Sequence, residues 1–196
     1  MDKLYAIQIK ALIKTTIDEG FAFIMICFYL LFEYVRPQSI YPQIDVIPWV
    51  STIIVLLIFG AILQGEFKYK PSHPLNKLMV VYALVVLFSS ILSIYPSVSL
   101  SKWRVFFDWF IIYFLIVSIV TNEKRFYIFF LSFLVYSFKM SQHGFLSWAK
   151  RGFSYTGWGV TGAPGWFHNS GEVGIQMCIY VPLSIAFIIA THRYWS

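Results

Sequence analysis

Six apolar runs, separated by short segments carrying charges, prolines or glycines, constrain the fold of this 196-residue chain more than any other feature. They cover residues 21–35, 46–63, 78–95, 103–120, 126–139 and 174–190. A membrane-crossing helix needs about 20 largely apolar residues, whereas a helix on the surface of a soluble domain keeps a polar face. The boundaries are sharp: Arg36-Pro37-Gln38 closes the first run, KYKPSHPLNK precedes the third, Pro96 follows it, and TNEKR ends the fourth. Prolines and clustered polar groups stop helices at such points. Composition agrees, since 12% of the residues are charged against about 25% in an average soluble domain. The sequence therefore predicts an all-α fold, a polytopic transmembrane helix bundle of about six spans. So many spans leave too little chain for a separate soluble catalytic domain.

Residues 1–19 precede the first span. Lys3, Lys10 and Lys14 recur at helical spacing, with Leu4, Ile7, Leu12 and Ile13 largely on other faces. This pattern predicts an interfacial amphipathic helix. Its charges interrupt the apolar core that a signal peptide would need, so the segment is expected to be retained. Residues 20–138 form a five-span membrane bundle in this reading, 139–171 a glycine- and aromatic-rich loop, and 172–196 the sixth span and cytoplasmic end. Pro182 is expected to kink that last helix.

Counting Lys and Arg in alternate loops places Lys3, Lys10, Lys14, Lys68, Lys70, Lys77, Lys124, Arg125 and Arg193 on one side, and Arg36, Lys102, Arg104, Lys139, Lys150 and Arg151 on the other. The larger group marks the cytoplasm and puts the long loop outside. Trp49, Trp103 and Trp109 near span ends fit an aromatic belt. The net charge of +6 is scattered rather than blocked, which points to anionic lipid headgroups and away from nucleic acid. Cys27 and Cys178 both lie in apolar runs, so neither a disulfide nor a zinc site is indicated, and no metal or other cofactor is expected.

The loop 139–171 concentrates the residues able to do chemistry. Phe145, Trp148, Phe153, Tyr155, Trp158, Trp166 and Phe167 can dock at an interface or cover sugar rings, and the intervening glycines allow tight turns. The loop is expected to fold back onto the bundle. Lys150 and Arg151 are adjacent cations suited to a phosphate or diphosphate group, and Arg36 stands in the other outside loop. Ordinary lipid phosphate and helix anchoring account for the same three residues. His168, Asn169, Ser170 and Glu172 open the sixth span, where free backbone N–H groups attract an anion. Asn169 or Ser170 as N-cap and Glu172 in the first turn give a purely structural reading of the same cluster. Arg104 and Asp108 at i, i+4 in the fourth span suggest a structural ion pair, with a catalytic Asp108 as the alternative.

Two stretches carry a family resemblance. FEYVRPQSIYPQIDVIPWV, joining the first two spans, resembles the start of the O-antigen ligase and polymerase superfamily, especially its O-glycosylation ligases. GWGVTGAPGWFHNSGEVGIQM resembles that family's glycine-rich outside loop and the Asn-containing helix start after it. The resemblance implies a multi-pass glycosyltransferase of the bacterial inner membrane, working in lipopolysaccharide biosynthesis without a metal. It would take a glycan from polyprenyl diphosphate and pass it to an acceptor on the periplasmic face. Arg151 would stabilise the diphosphate, with Lys150, Arg36, His168, Asn169 and Trp166 around the substrate. Family members are typically much longer and carry the catalytic base in a second half. This chain then corresponds to the N-terminal half, with a C-terminal half as expected partner beside membrane lipids and the lipid-linked glycan. The rival is a non-enzymatic membrane protein or a carrier of lipid-linked glycans.

Overall fold

The computed structural model describes residues 2–68, 73–154, 159–162 and 167–195, with the backbone alone for Asp2, Lys3, Lys68 and Arg104. All regular structure among the described residues is helical: α1 (Asp2–Tyr5), α2 (Ile9–Asp18), α3 (Phe21–Leu30), α4 (Pro37–Ile40), α5 (Trp49–Leu63), α6 (Pro74–Ile91), α7 (Pro96–Ile119), α8 (Glu123–Lys150) and α9 (Ser170–Thr191). Three stretches are long and apolar enough to cross a membrane: Phe21–Ile40, Pro74–Ile91 and Ser170–Tyr194. α5 is shorter, its 15 residues spanning about 22 Å. Large apolar side chains such as Val81, Leu84, Phe88, Ile185 and Ile189 are exposed on α6 and α9, as expected where hydrocarbon rather than water is the solvent.

The helix boundaries follow from local chemistry. Pro74 and Pro96 occupy the first turns of α6 and α7, where a missing N–H costs nothing. Asn122 caps α8 through its Oδ1, which accepts from Arg125 N at 2.8 Å, and Glu123 lies in the same first turn, where the helix dipole favours an acid. The first span is not one uniform helix. α3 passes into a π-helical turn at Leu31–Val35, closed by a bond from Arg36 N to Leu31 O at 3.3 Å. Arg36 takes a left-handed conformation (φ 50) and Pro37 then opens α4, so the helix breaks at the expected Arg36-Pro37 point. α9 continues through Pro182 to Thr191.

Two sequence expectations need correction. The segment 1–19 is two helices, broken where Ile7 adopts φ 54 and its N–H bonds back to Leu4 O. The fifth run does not fade near residue 139: α8 continues to Lys150, and the loop proper starts at Arg151. Residues 140–150 contain no proline and a single glycine, so nothing stops the helix there. The stop comes at Gly152. Its N–H bonds to Ala149 O at 3.0 Å, while Phe153 N bonds to Trp148 O at 3.2 Å, and the Trp148 and Phe153 rings meet edge-on at 4.9 Å. This is a Schellman termination with its apolar contact, and it requires the left-handed φ of 65 that glycine adopts without strain.

The chain forms two compact units, residues 1–57 with 122–196, and residues 58–121. In the first, α3 and α8 supply much of the core: Ala22, Phe23, Ile26, Leu30, Ile128, Leu134 and Met140 are all buried. Ser137 on α8 is fully buried and accepts a hydrogen bond from Gln176 of α9 at 3.0 Å. In the second unit, α6 and α7 form a helical hairpin joined by Tyr113 Oη donating to Asn76 Oδ1 at 2.7 Å and by the Tyr82–Phe106 ring contact.

Candidate functional site

The expected folding back of the loop after α8 is realised in its described parts. Val160 and Thr161 lie against Gly144 of α8, at 3.3 Å from where a Cβ there would stand. Gly162 donates to Phe167 O at 2.9 Å, closing a small ring of backbone. Phe167 stacks on Tyr34 of the π-helical turn at 5.8 Å, and Tyr34 meets Phe133 of α8 edge-on at 5.3 Å. Gly159 approaches Ser170, the first residue of α9, to 3.2 Å at its Cβ position. The π-helical turn, the end of α8, the loop and the start of α9 therefore meet at one end of the first unit. The glycines serve close packing of the loop on these elements.

Arg151, the C-cap of α8, extends Nη2 to the carbonyl of Gly159 at 3.3 Å. Gly159, which lies close to Ser170, thus links the Arg151 side chain to the start of α9. Lys150 is exposed in the last turn of α8. His168 and Asn169 are exposed immediately before α9. Asn169 is the N-cap: its Oδ1 accepts from Gly171 N at 2.7 Å, and Glu172 Oε2 accepts from Asn169 N at 3.4 Å, completing a capping box. The structural reading of Asn169 and Glu172 is thus realised. Arg36 is half-buried, two residues from Tyr34. Among the described residues no hydrogen bond or ion pair joins the side chains of Arg36, Lys150, Arg151 and His168. Trp166, Trp158 and Tyr155 lie outside the described residues. So does the side chain of Arg104, and with it the expected Arg104–Asp108 pair; Asp108 is exposed on α7.

Among the described residues this end carries three cations, Arg36, Lys150 and Arg151, and two carboxylates: Glu172, engaged by the cap, and Glu33 in the π-helical turn. Cations without carboxylate partners beside a helix N-terminus suit an anionic group, and a guanidinium gives it two parallel donors. Sequence reasoning missed Tyr34, the aromatic that links the Arg36 segment to the His168 segment. It also missed Gln38, buried with its Nε2 on Phe32 O at 3.3 Å and its Oε1 without a hydrogen-bond partner. The π-helical turn that positions both has no signature in the run LFEYV.

At the opposite end of α8 Glu123 and Arg125 are engaged, while Lys124 is exposed. Glu19 Oε2 accepts from Arg125 Nε at 2.7 Å and from Asn122 Nδ2 at 3.1 Å, while Arg125 Nη2 donates to the Glu19 carbonyl at 3.0 Å. Burial pushes the Glu19 carboxyl up, but the hydrogen bonds from Asn122 and Arg125 and the charges of Arg125 and Lys124 more than offset it, leaving the group below its ordinary value. Tyr5 donates its hydroxyl to Glu123, and this bond, with a smaller push from burial, raises the phenol to about 12.

Comparison with protein-family models, with curated proteins and with solved structures returned no match, so geometry and chemistry carry the functional reading.

Proposed function

We propose that this chain is the membrane portion of a glycosyltransferase like the O-antigen ligases and polymerases, with six spans in the bacterial inner membrane. α5, α7 and α8 supply the spans beyond the three long apolar stretches. The reaction moves a glycan from polyprenyl diphosphate to an acceptor at the periplasmic face. An acceptor hydroxyl attacks the anomeric carbon, the bond from that carbon to the diphosphate oxygen breaks, and the diphosphate leaves with the electron pair and, overall, with the acceptor's proton. Arg151 stabilises the charge that collects on it. Lys150, Arg36 and His168 line the approach.

The observation that supports this reading most is the bond between Arg151 and Gly159, which links a guanidinium through Gly159 to the start of α9, at an end where Arg36, Lys150 and Arg151 form no ion pair among the described residues. Depth supports it as well. If α8 enters the hydrocarbon at Phe126, about 20 residues of helix cross it, and Lys150 and Arg151 emerge about 8 Å further on, at headgroup level. Lys139 then lies inside, and its Nζ bonds Gln142 at 2.9 Å toward the same end, the direction in which a long cation snorkels.

Binding of a purified polyprenyl-diphosphate glycan tests the proposal. Arg151→Ala is expected to bind about tenfold more weakly, the loss of one charge-assisted hydrogen bond, while Lys70→Ala, assigned to the opposite side, binds like the parent. Equal affinity in both variants would remove Arg151 from the site.

A further inference from the structure

A second surface, away from the outer loop, has the chemistry of a lipid site. α2, α3 and α8 enclose an open apolar groove of about 750 Å³, within the range of small-molecule sites. Its walls are Ile13 and Ile17 of α2, Ile24 and Phe28 of α3, and Leu131 and Val135 of α8. The two aliphatic hydroxyls that reach it have spent their protons on their own helices: Thr16 Oγ1 donates to Leu12 O at 2.8 Å and Ser132 Oγ to Ile128 O at 2.9 Å. Apart from the phenol of Tyr136, which also lines the groove, a hydrocarbon chain meets no hydroxyl there that burial would strand.

The groove is a fixed feature, because α2 is tethered on both flanks to the first turn of α8. Before it, Tyr5 donates to Glu123 and packs edge-on against Tyr127; after it, Glu19 holds Arg125 and Asn122. Ile9, Ile13 and Ile17 recur once per turn along α2 and remain 71%, 55% and 62% exposed, so the protein does not cover the apolar edge of this helix. On the adjacent stripe, Lys10 and Lys14 stand one turn apart, exposed, with no ion pair among the described residues. Asp18 ends that stripe without pairing to Lys14.

We propose that this groove seats one acyl chain of an anionic glycerophospholipid, with its phosphate held by Lys10 and Lys14. The charge complementarity selects the headgroup, and the apolar lining selects the chain. The site is independent of the glycan reading, since it uses none of the residues at the outer loop.

The test is native mass spectrometry of the full chain in detergent, equilibrated with phosphatidylglycerol or phosphatidylcholine of identical tails. One phosphatidylglycerol is expected to stay bound, with a preference of about tenfold over phosphatidylcholine from two lysines at the membrane surface. The double variant Lys10→Gln/Lys14→Gln should lose that preference. Leu131→Trp, which fills the groove, should retain neither lipid. Equal retention of the two lipids by the parent, an unchanged preference in the double lysine variant, or undiminished lipid on a folded Leu131→Trp would each overturn the proposal. Displacement by a polyprenyl phosphate at concentrations where phosphatidylglycerol does not compete would overturn it in favour of the carrier chain. If Leu131→Trp does not fold, the lysine variant decides, because both of its positions are exposed.

Discussion

At its first turn α8 presents Asn122, Glu123 and Arg125, and each is engaged by a residue from the N-terminal helices: Glu19 takes Asn122 and Arg125, and Tyr5 takes Glu123. At its last turn the same helix presents Lys150 and Arg151, and the bond that involves either side chain is a 3.3 Å contact from Arg151 to a carbonyl. One end spends Glu123 and Arg125 internally, with Lys124 left exposed. The other leaves its charges available, with a net positive field and a capped helix start beside it. Paired charges of opposite sign hold elements together, whereas same-sign charges gathered without partners cost stability and are tolerated where a ligand neutralises them. The contrast therefore predicts that mutations at the first turn act on stability and mutations at the last act on binding.

The largest effect is expected from Arg125→Ala. The Arg125 and Glu19 side chains are only 12% and 16% exposed, so removing the cation strands a largely enclosed carboxylate. A loss of about 2 to 3 kcal/mol should follow, read as a lower thermal midpoint in detergent at neutral pH. The pH dependence has a definite sign. The native carboxyl lies below its ordinary value, so the pair contributes in full above that value, about 4.3 for a free Glu, and is lost as pH falls through the lowered native one. Parent and variant should converge in that acid range. A parent-like midpoint at neutral pH would show that the first-turn cluster is not structural and would erase the comparison.

Gly162→Ala sharpens the other side. A Cβ at Gly162 would stand 2.8 Å from Phe167 O and 3.2 Å from Val173 Cγ2, and a backbone oxygen yields little. Overpacking of this kind costs about 1 to 3 kcal/mol, and here the cost should fall on the loop alone. Hydrogen exchange in residues 159–162 and 167–173 should accelerate while residues 122–127 keep the parent's protection. Acceleration at both ends would mean that they form one cooperative element.

Much of the helical framework was legible because its signals are local: Pro74, Pro96, Asn122 and Asn169 act within one turn, and apolar run length reports the solvent. The folding back of the loop after α8 was legible from its aromatics and glycines. The end of α8 was legible in principle, since a basic last turn followed by Gly152 is a stop signal, but the polar residues of MSQHGFLSWAK suggested a loop. What sequence could not give is non-local. Glu19 and Arg125 are 106 positions apart, Tyr34 meets Phe167 only through the fold, and the left-handed turn at Ile7 falls on a residue type that seldom adopts it. Lys150 and Arg151 were recognised as candidates by type, yet their bearing on Asn169 needed the path through Gly159 and Ser170.

The smallest effect concerns Asn169, a residue with two roles to separate. As N-cap it binds Gly171 N, and with Glu172 it closes the capping box, so Asn169→Ala should cost about 1 kcal/mol, confined to the start of α9. Serine caps nearly as well but lacks the amide that could reach a sugar hydroxyl. Asn169→Ser should therefore restore the thermal midpoint and the protection of residues 170–174. Glycan binding then discriminates. If affinity for the polyprenyl-diphosphate glycan returns with the cap, Asn169 acts only by holding the helix start in place. If stability returns and affinity does not, the amide touches the substrate, and the open end of α8 extends as a binding surface from Arg151 to the first turn of α9.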